Sequence, residues 1–248
     1  MLAGAVPLRA TISTPHGKRR YVRQLFATIA DRYDLITRVL SYGQDRRWKT
    51  RAIALARLTA ADRVLDLACG TGDLMFEAAS QARAVVGVDV TFRMLQLAKV
   101  RRSTLDPHLG ARCRLVTGDM GTLPVASHSF DVVTTGYGLR NVPDLAAAVD
   151  EIHRVLVPGG RLVSLDFNRP ANAIVRHAYW FYLTLVGSAL GLVLHGDPDT
   201  YRYIPESIRN YPGAEKVADL LRLRGFADVT VVPVLAGFMA IHVARKNT

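Results

Sequence analysis

Three aspartates stand at the ends of short apolar runs. Val64-Leu-Asp-Leu-Ala-Cys-Gly-Thr-Gly-Asp73 carries Asp66 ahead of Gly70, Thr71 and Gly72. Ala84-Val-Val-Gly-Val-Asp89 ends on Asp89, with Val90 next, and Cys113-Arg-Leu-Val-Thr117 leads into Gly118-Asp119-Met120. If the runs are strands of one sheet, the acids gather at its carboxyl edge, where open α/β sheets bind ligands. Glycines at that edge let the backbone approach a ligand closely, and the start of the following helix favours an anionic group. A nicotinamide fingerprint needs a third glycine three residues after Gly72, but that position is Met75. Asp66 is also foreign to that fingerprint and suits a cation instead. Asp89 is placed to accept from two ribose hydroxyls. Asp119 is placed to accept from an adenine amino group, with the next backbone N–H, that of Met120, on a ring nitrogen. Met94, on the helix after Asp89, packs either on adenine or in the core. An adenosine joined to a cationic sulfonium fits this acidic lining better than a pyrophosphate does. The cofactor so described is S-adenosylmethionine.

Positioning these groups takes alternating strands and helices. Strand-like runs cover 63–67, 84–89, 113–117, 130–135 and 161–165, with helical stretches over 74–81, 92–101 and 145–156, the last stopped by Pro158-Gly159-Gly160. Such alternation predicts a parallel sheet covered on both faces. Before it, residues 20–58 read as helix, with Val22, Leu25, Phe26, Ile29, Tyr33 and Ile36 at three- and four-residue steps. Residues 168–213 break the alternation and are long and aromatic. A helix over 214–224 follows, then strands over 227–234 and 236–244 joined by a tight connection around Pro233. A closing antiparallel hairpin on a parallel sheet is a specific topological signal.

Composition bounds the rest. The 248 residues are 50% hydrophobic, enough for a core and too apolar for a disordered chain. Lys and Arg number 32 against 21 Asp and Glu, a net charge of +11, which invites nucleic acid, an anionic membrane or a phosphorylated ligand. Two cysteines, Cys69 and Cys113, exclude a disulfide scaffold, suggest no zinc spacing and fit the cytosol. No metal is expected. Residues 1–7 are too short for a signal-peptide core, and Arg9, Lys18, Arg19, Arg20 and Arg23 read as a solvated basic arm.

The glycine turn, Asp89, Asp119 and Phe130-Asp131 resemble class I methyltransferase motifs. Four further segments are narrower: 26–34 (FATIADRYD) with 41–48 (SYGQDRRW), Gly138-Leu-Arg-Asn-Val142, Asp166-Phe-Asn-Arg-Pro170, and 201–212 (YRYIPESIRNYP). Together they are similar to the ubiquinone/menaquinone biosynthesis C-methyltransferase family over roughly residues 18–245. The resemblance implies an α/β, Rossmann-like single domain with a seven-stranded, mostly parallel sheet. Residues 18–60 would form a helical cover and 168–213 an insertion over the substrate site. It implies that Thr71, Asp89, Asp119 and Met120 bind S-adenosylmethionine, alongside Asp66, Gly70, Gly72, Val90, Met94 and Gly136. It departs from the family at Gly136, where a small polar residue is common, at Thr37 for Asn, at Asp45 for His, and at Asp166-Phe-Asn for Glu-Phe-Ser. These departures bear on substrate choice more than on the reaction.

The implied reaction is C-methylation of a demethylated polyprenyl quinol, demethylmenaquinol first; a sterol or polyketide acceptor is the alternative. The ring carbon becomes nucleophilic when a neighbouring hydroxyl, with a pKa near about 10, loses its proton. Arg140 is the candidate for stabilising that phenolate, or else forms a salt bridge at the sheet edge. Asn141 would orient a water or the hydroxyl, and Tyr33 and Asp34 would close the site. None of the seven histidines falls in a motif. Residues 178–194 carry no charge and as a helix would be roughly 26 Å long against about 30 Å of bilayer core. They read first as a buried lid or tunnel for a prenyl tail, with Leu190 and Leu192 in its wall, then as a membrane-contacting helix, and last as a span. The expected location is cytoplasmic, peripheral to the inner face of the membrane, with no nucleic acid bound and a homodimer as a compatible assembly. Gly-Tyr-Gly-Leu-Arg-Asn after the fourth strand disfavours the amide- or base-nitrogen chemistry of an RNA-modifying rival.

Overall fold

The structure is a computed structural model that describes residues 8–170 and 172–248; residues 1–7, read above for a leader, lie outside the described residues. Seven strands form one sheet in the order β3-β2-β1-β4-β5-β7-β6. They are β1 (Arg63–Leu67), β2 (Ala84–Asp89), β3 (Cys113–Thr117), β4 (Phe130–Gly136), β5 (Leu156–Phe167), β6 (Phe226–Val234) and β7 (Met239–Lys246). The first five are mutually parallel; β7 runs antiparallel to both β5 and β6. This is the expected sheet with its closing hairpin.

Eleven α-helices are described: α1 (Leu8–Ile12), α2 (Pro15–Ile29), α3 (Tyr33–Leu40), α4 (Asp45–Ala56), α5 (Asp73–Ala79), α6 (Phe92–Ser103), α7 (Pro107–Arg112), α8 (Leu145–Val155), α9 (Ala173–His195), α10 (Tyr203–Asn210) and α11 (Ala214–Leu223). Side chains cap several of them. The Asp144 carboxylate accepts from the Ala146 and Ala147 N–H groups at the start of α8, and the Asn172 side chain does the same for Ile174 and Val175 of α9. Gly196, with φ 69°, ends α9 in a left-handed turn that a Cβ disfavours.

Two apolar layers enclose the sheet. Trp48 and Ile53 of α4 and Met75 of α5 pack with Val64, Val132 and Ile241 on one face. Ile152 of α8 and Leu221 of α11 pack with Leu65, Val133 and Leu162 on the other. A third cluster joins Ile29, Ile36 and Tyr201, tying the N-terminal helices to the segment after α9.

Two boundaries and the burial of one helix differ from expectation. β5 begins at Leu156 and runs through Pro158-Gly159-Gly160, because Leu156 already pairs with Phe130 and a register shift absorbs the extra residues. The hairpin turns at Leu235-Ala236-Gly237, all left-handed, and not at Pro233, which pairs with Ala240. Proline is tolerated there because β6 is the edge strand. Finally, α9 is not buried. Only Leu183, Gly187 and Gly191 are, while Ile174, Phe181, Leu185, Leu192 and Val193 are exposed. The two glycines serve the turn that follows. A Cβ on Gly187 would lie 3.3 Å from Tyr201 Cβ, and one on Gly191 would lie 2.4 Å from the Asp197 carbonyl oxygen.

Candidate active site

The glycine turn after β1 is built on backbone that excludes most side chains. Gly72 has φ 95°, and a Cβ there would stand 2.4 Å from the Phe76 ring. The buried Asp89 ties the ends of β1 and β2 together. Its Oδ2 accepts from the Gly70 N–H at 2.8 Å and its Oδ1 from the Thr91 N–H at 2.7 Å. Burial pushes this carboxyl up, against those backbone bonds. Asp66 is buried more deeply still. Its Oδ1 accepts from the Thr134 hydroxyl at 2.8 Å, and its Oδ2 has no partner among the described residues. Burial pushes Asp66 up to about 7, despite the Thr134 bond and the charge of Lys49.

Most of the expected cofactor residues surround one cavity of about 780 Å³. Gly70, Asp89, Val90, Met94, Asp119, Met120 and Gly136 all line it. Asp66 and Thr71 line an adjoining recess that shares Gly70 and Gly136 with it. Gly72 lines neither and acts through the turn. Asn141 also lines the first cavity, so it faces the cofactor side and not the substrate side expected of it. Its Nδ2 donates to the Tyr137 carbonyl at 2.7 Å, and its Oδ1 is buried without a partner among the described residues. The cavity is thus rich in acceptors. An adenosyl group with an amino donor, two ribose hydroxyls and a cationic sulfonium fits the cavity and its recess, and one orphaned acceptor in each, Asn141 Oδ1 and Asp66 Oδ2, supports the fit.

Two residues of the expected basic arm, Lys18 and Arg19, are engaged, while Arg20 and Arg23 are exposed as expected. Helix α2 lies over the cavity, with Arg19, Val22 and Phe26 in its wall. Arg19 Nε donates to Asp119 Oδ2 at 2.8 Å, and Lys18 Nζ donates to the Arg140 carbonyl at 3.0 Å. Sequence spacing carried no sign of either contact, since both join residues at least 100 positions apart.

A second cavity of about 1630 Å³ adjoins the first, and Phe26, Tyr33 and Tyr137 belong to both walls. Its lining is mainly apolar, with Leu25, Ile36, Trp48, Phe167 and Leu183 among others. Helix α9 contributes its first half, Ile174 to Leu183, and neither Leu190 nor Leu192. Ile174 and Tyr42 line the cavity and are also exposed, so they mark its mouth. Burial pushes the Tyr33 phenol up to about 12.

Arg140 lines this second cavity and is bridged as well. Its Nη1 donates to Asp166 Oδ1 at 3.0 Å and to the Tyr137 carbonyl at 2.9 Å, and its backbone N–H donates to Asp166 Oδ2 at 3.1 Å. The guanidinium stands 4.6 Å from the Phe167 ring centroid. Its Nε is buried and has no partner among the described residues. The salt-bridge reading of Arg140 therefore holds, and its Nε is left as an unpartnered donor among the described residues. Asp34 lies at a different point and accepts from the Thr71 hydroxyl. No histidine lines either cavity. His242 is buried in β7 against the Ala214 carbonyl, at 2.9 Å. Among the described residues no three His, Cys, Asp or Glu side chains converge as a metal site.

One constellation escaped the sequence reading. The Tyr137 hydroxyl donates to Asp45 Oδ1 at 2.5 Å, and Lys49 Nζ donates to Asp45 Oδ2 at 2.6 Å and to Asp73 Oδ2 at 2.7 Å. Asp45 and Asp73 push the Lys49 ammonium well above its ordinary value, against the burial that opposes it.

The sheet order and the acid-lined edge define a class I, S-adenosylmethionine-dependent methyltransferase. Solved structures agree on the fold. A methyltransferase from Thermotoga maritima described as a possible histamine N-methyltransferase superposes with TM-score 0.63 at 17% identity, covering 91% of this chain and all of that one. Residues 14–246 match the ubiE/COQ5 methyltransferase family, and the chain belongs to it. Its relatives include the demethylmenaquinone methyltransferase of Roseiflexus castenholzii, 37% identical over 94% of this chain and 96% of that one. That of Thermus thermophilus is 39% identical over 90% of this chain and its own whole length. The ubiquinone/menaquinone biosynthesis C-methyltransferase of a Geobacter species is 35% identical over 92% of this chain and 97% of that one.

Proposed function

We propose that the protein methylates a ring carbon of a demethylated polyprenyl quinol, demethylmenaquinol before a benzoquinol. The observation that carries this reading is the shared wall. An acceptor-lined cavity and a larger apolar one meet at Phe26, Tyr33 and Tyr137, so a methyl donor in the first would face a lipophilic acceptor in the second. The names of the relatives point the same way.

S-adenosylmethionine supplies an electrophilic methyl group on a sulfonium. Asp89 would hold the ribose, Asp119 and Met120 the adenine edge, Met94 the adenine face, and Asp66 with Thr71 the cationic end. Asp119 gives up Arg19 to do so. The wall tyrosines orient the ring and exclude water, which supplies much of the acceleration by alignment. The unpartnered Arg140 Nε is the donor for a developing phenolate, and a guanidinium stays charged throughout. Asp166 fixes its angle.

A prenyl tail would lie along Leu25, Ile36 and Leu183 and leave past Ile174. The exposed apolar side of α9 supports peripheral contact with the inner face of the membrane from the cytoplasm. Among the described residues α9 is the one helix long and apolar enough to cross a bilayer. Its inner side lines the cavity, which favours surface contact over spanning. The deciding experiment incubates the protein with labelled S-adenosylmethionine and reduced demethylmenaquinone, then identifies the product by mass. Gain of one methyl on the ring carbon supports the reading; label in a sterol or in RNA instead defeats it.

A further inference from the structure

The apolar cavity is lined by one carboxylate. Asp45, the first residue of α4, lines it, and it also lines a polar cleft of about 1480 Å³ bounded by Arg38, Lys49, Asp73 and Arg101. Its two oxygens are bonded separately. Oδ1 takes the Tyr137 hydroxyl at 2.5 Å, and Oδ2 takes Lys49. Tyr137 lines both the apolar cavity and the cofactor cavity. We propose that Asp45 is the proton acceptor of methyl transfer, reached through the Tyr137 hydroxyl, and that it passes the proton to the polar cleft. The proposal rests on the quinol reading above.

Elimination supports the assignment. Arg140 never gives up its charge in water, so it is not a base. Lys49 is held protonated by Asp45 and Asp73. Tyr33 is pushed up to about 12 by burial, and Tyr179 and Tyr203 are raised by the same cause. No histidine is at hand. The charges around Asp45 are Arg46 and Lys49 on its own helix, Arg38 on α3, Asp73 at the start of α5, Arg101 on α6, and Arg140 on the turn after β4, with the Tyr33 and Tyr137 phenols among them.

The step balances. The substrate hydroxyl gives its proton to the Tyr137 oxygen while the proton of Tyr137 moves to Asp45 Oδ1. The ring carbon then bonds to the methyl carbon as the methyl–sulfur bond breaks, and sulfur keeps the electron pair. The relay then returns its proton to the ring oxygen, and the Asp45 carboxylate so freed takes, again through Tyr137, the proton that the methylated carbon loses as the ring regains aromaticity. Nothing is oxidised or reduced. One sulfonium charge is exchanged for one proton released, and that proton leaves through the cleft.

Asp45→Asn and Tyr137→Phe test this with reduced demethylmenaquinone. Asp45→Asn should lower kcat by about 10²–10⁴-fold, the usual range for a general base. Its affinity for S-adenosylmethionine by calorimetry and its quinol KM should stay within about threefold. Asp45→Glu should recover part of the rate. A fluorinated quinol ring, whose hydroxyl is more acidic, should narrow the gap between wild type and Asp45→Asn, which a folding defect would not do. An Asp45→Asn or Tyr137→Phe enzyme at wild-type kcat overturns the relay, as does a gap that fluorination leaves unchanged. A wild type that methylates no quinol overturns the functional reading and the relay with it.

Discussion

The Thr71 hydroxyl donates to Asp34 Oδ1 at 2.9 Å, latching the N-terminal helices onto the glycine turn across 37 positions of sequence. A hydrogen bond to a charged group contributes about 1.5–3 kcal/mol. Asp34→Ala and Thr71→Val should each weaken S-adenosylmethionine binding by roughly tenfold, and the double variant should be little worse than either. Titration calorimetry on the four proteins reads the coupling; independent, additive losses would mean that the pair is no latch.

Arg140 and Asp166 form a buried pair, with side-chain exposures of 7% and 1%. Removing one partner strands the other's charge, at a cost of about 3–5 kcal/mol. Arg140→Met should therefore lower both Tm and kcat. Arg140→Met with Asp166→Asn should recover most of the Tm but leave kcat down by about 10²–10³-fold. Recovery of both together would assign Arg140 to stability alone.

Asp66 titrates at about 7 in the free protein. A bound cation holds it ionised, so affinity for S-adenosylmethionine should fall as pH drops below about 7, by at most tenfold for each pH unit. Calorimetry in buffers of different ionisation heat should detect proton release on binding, and Asp66→Asn should abolish it. The stability sign follows from a folded pKa above the unfolded one. The contribution of Asp66 to the fold is complete below about 4 and is lost as pH rises through about 7. Asp66→Asn should accordingly be the more stable protein at pH 8, by on the order of 4 kcal/mol at most, and show the higher Tm.

Phe181, Leu185 and Val193 project from α9 without lining the cavity. Changing all three to Ser should abolish co-sedimentation with anionic vesicles while leaving kcat on quinol dispersed in detergent within about twofold. Leu183→Ser lines the cavity and should do the reverse, raising KM for long-tailed quinols more than for short-tailed ones. Equal effects on vesicle binding from both variants would remove the distinction between the two sides of the helix.

Legibility followed range in the sequence. The runs around Val64, Val86 and Val133 announced buried parallel strands because each is apolar throughout and ends at a turn. Asp66, Asp89 and Asp119 could be placed because strand ends share one edge. The contacts of Lys18, Arg19 and Asp45 could not, because their partners Arg140, Asp119 and Tyr137 lie 122, 100 and 92 positions away and nothing local marks them. That Asn141 lines the other cavity from Arg140 could not be read for a related reason. Adjacent residues Arg140 and Asn141 lie on a tight turn, Leu139–Asn141, that sends them to different sides. The outer face of α9 was misjudged because composition reports that a helix is apolar and not which neighbour it lacks.

On a membrane, as proposed, α9 would be a partition between two oily phases, because it is apolar on both sides. An isoprenoid chain sliding past Ile174 would then leave one hydrocarbon environment for another without meeting water between them. Each exposed CH₂ would cost about 0.8 kcal/mol, so each isoprene unit is spared a barrier of roughly 4 kcal/mol. Turnover would then not slow as tails lengthen, and extraction of so insoluble a molecule would need no carrier.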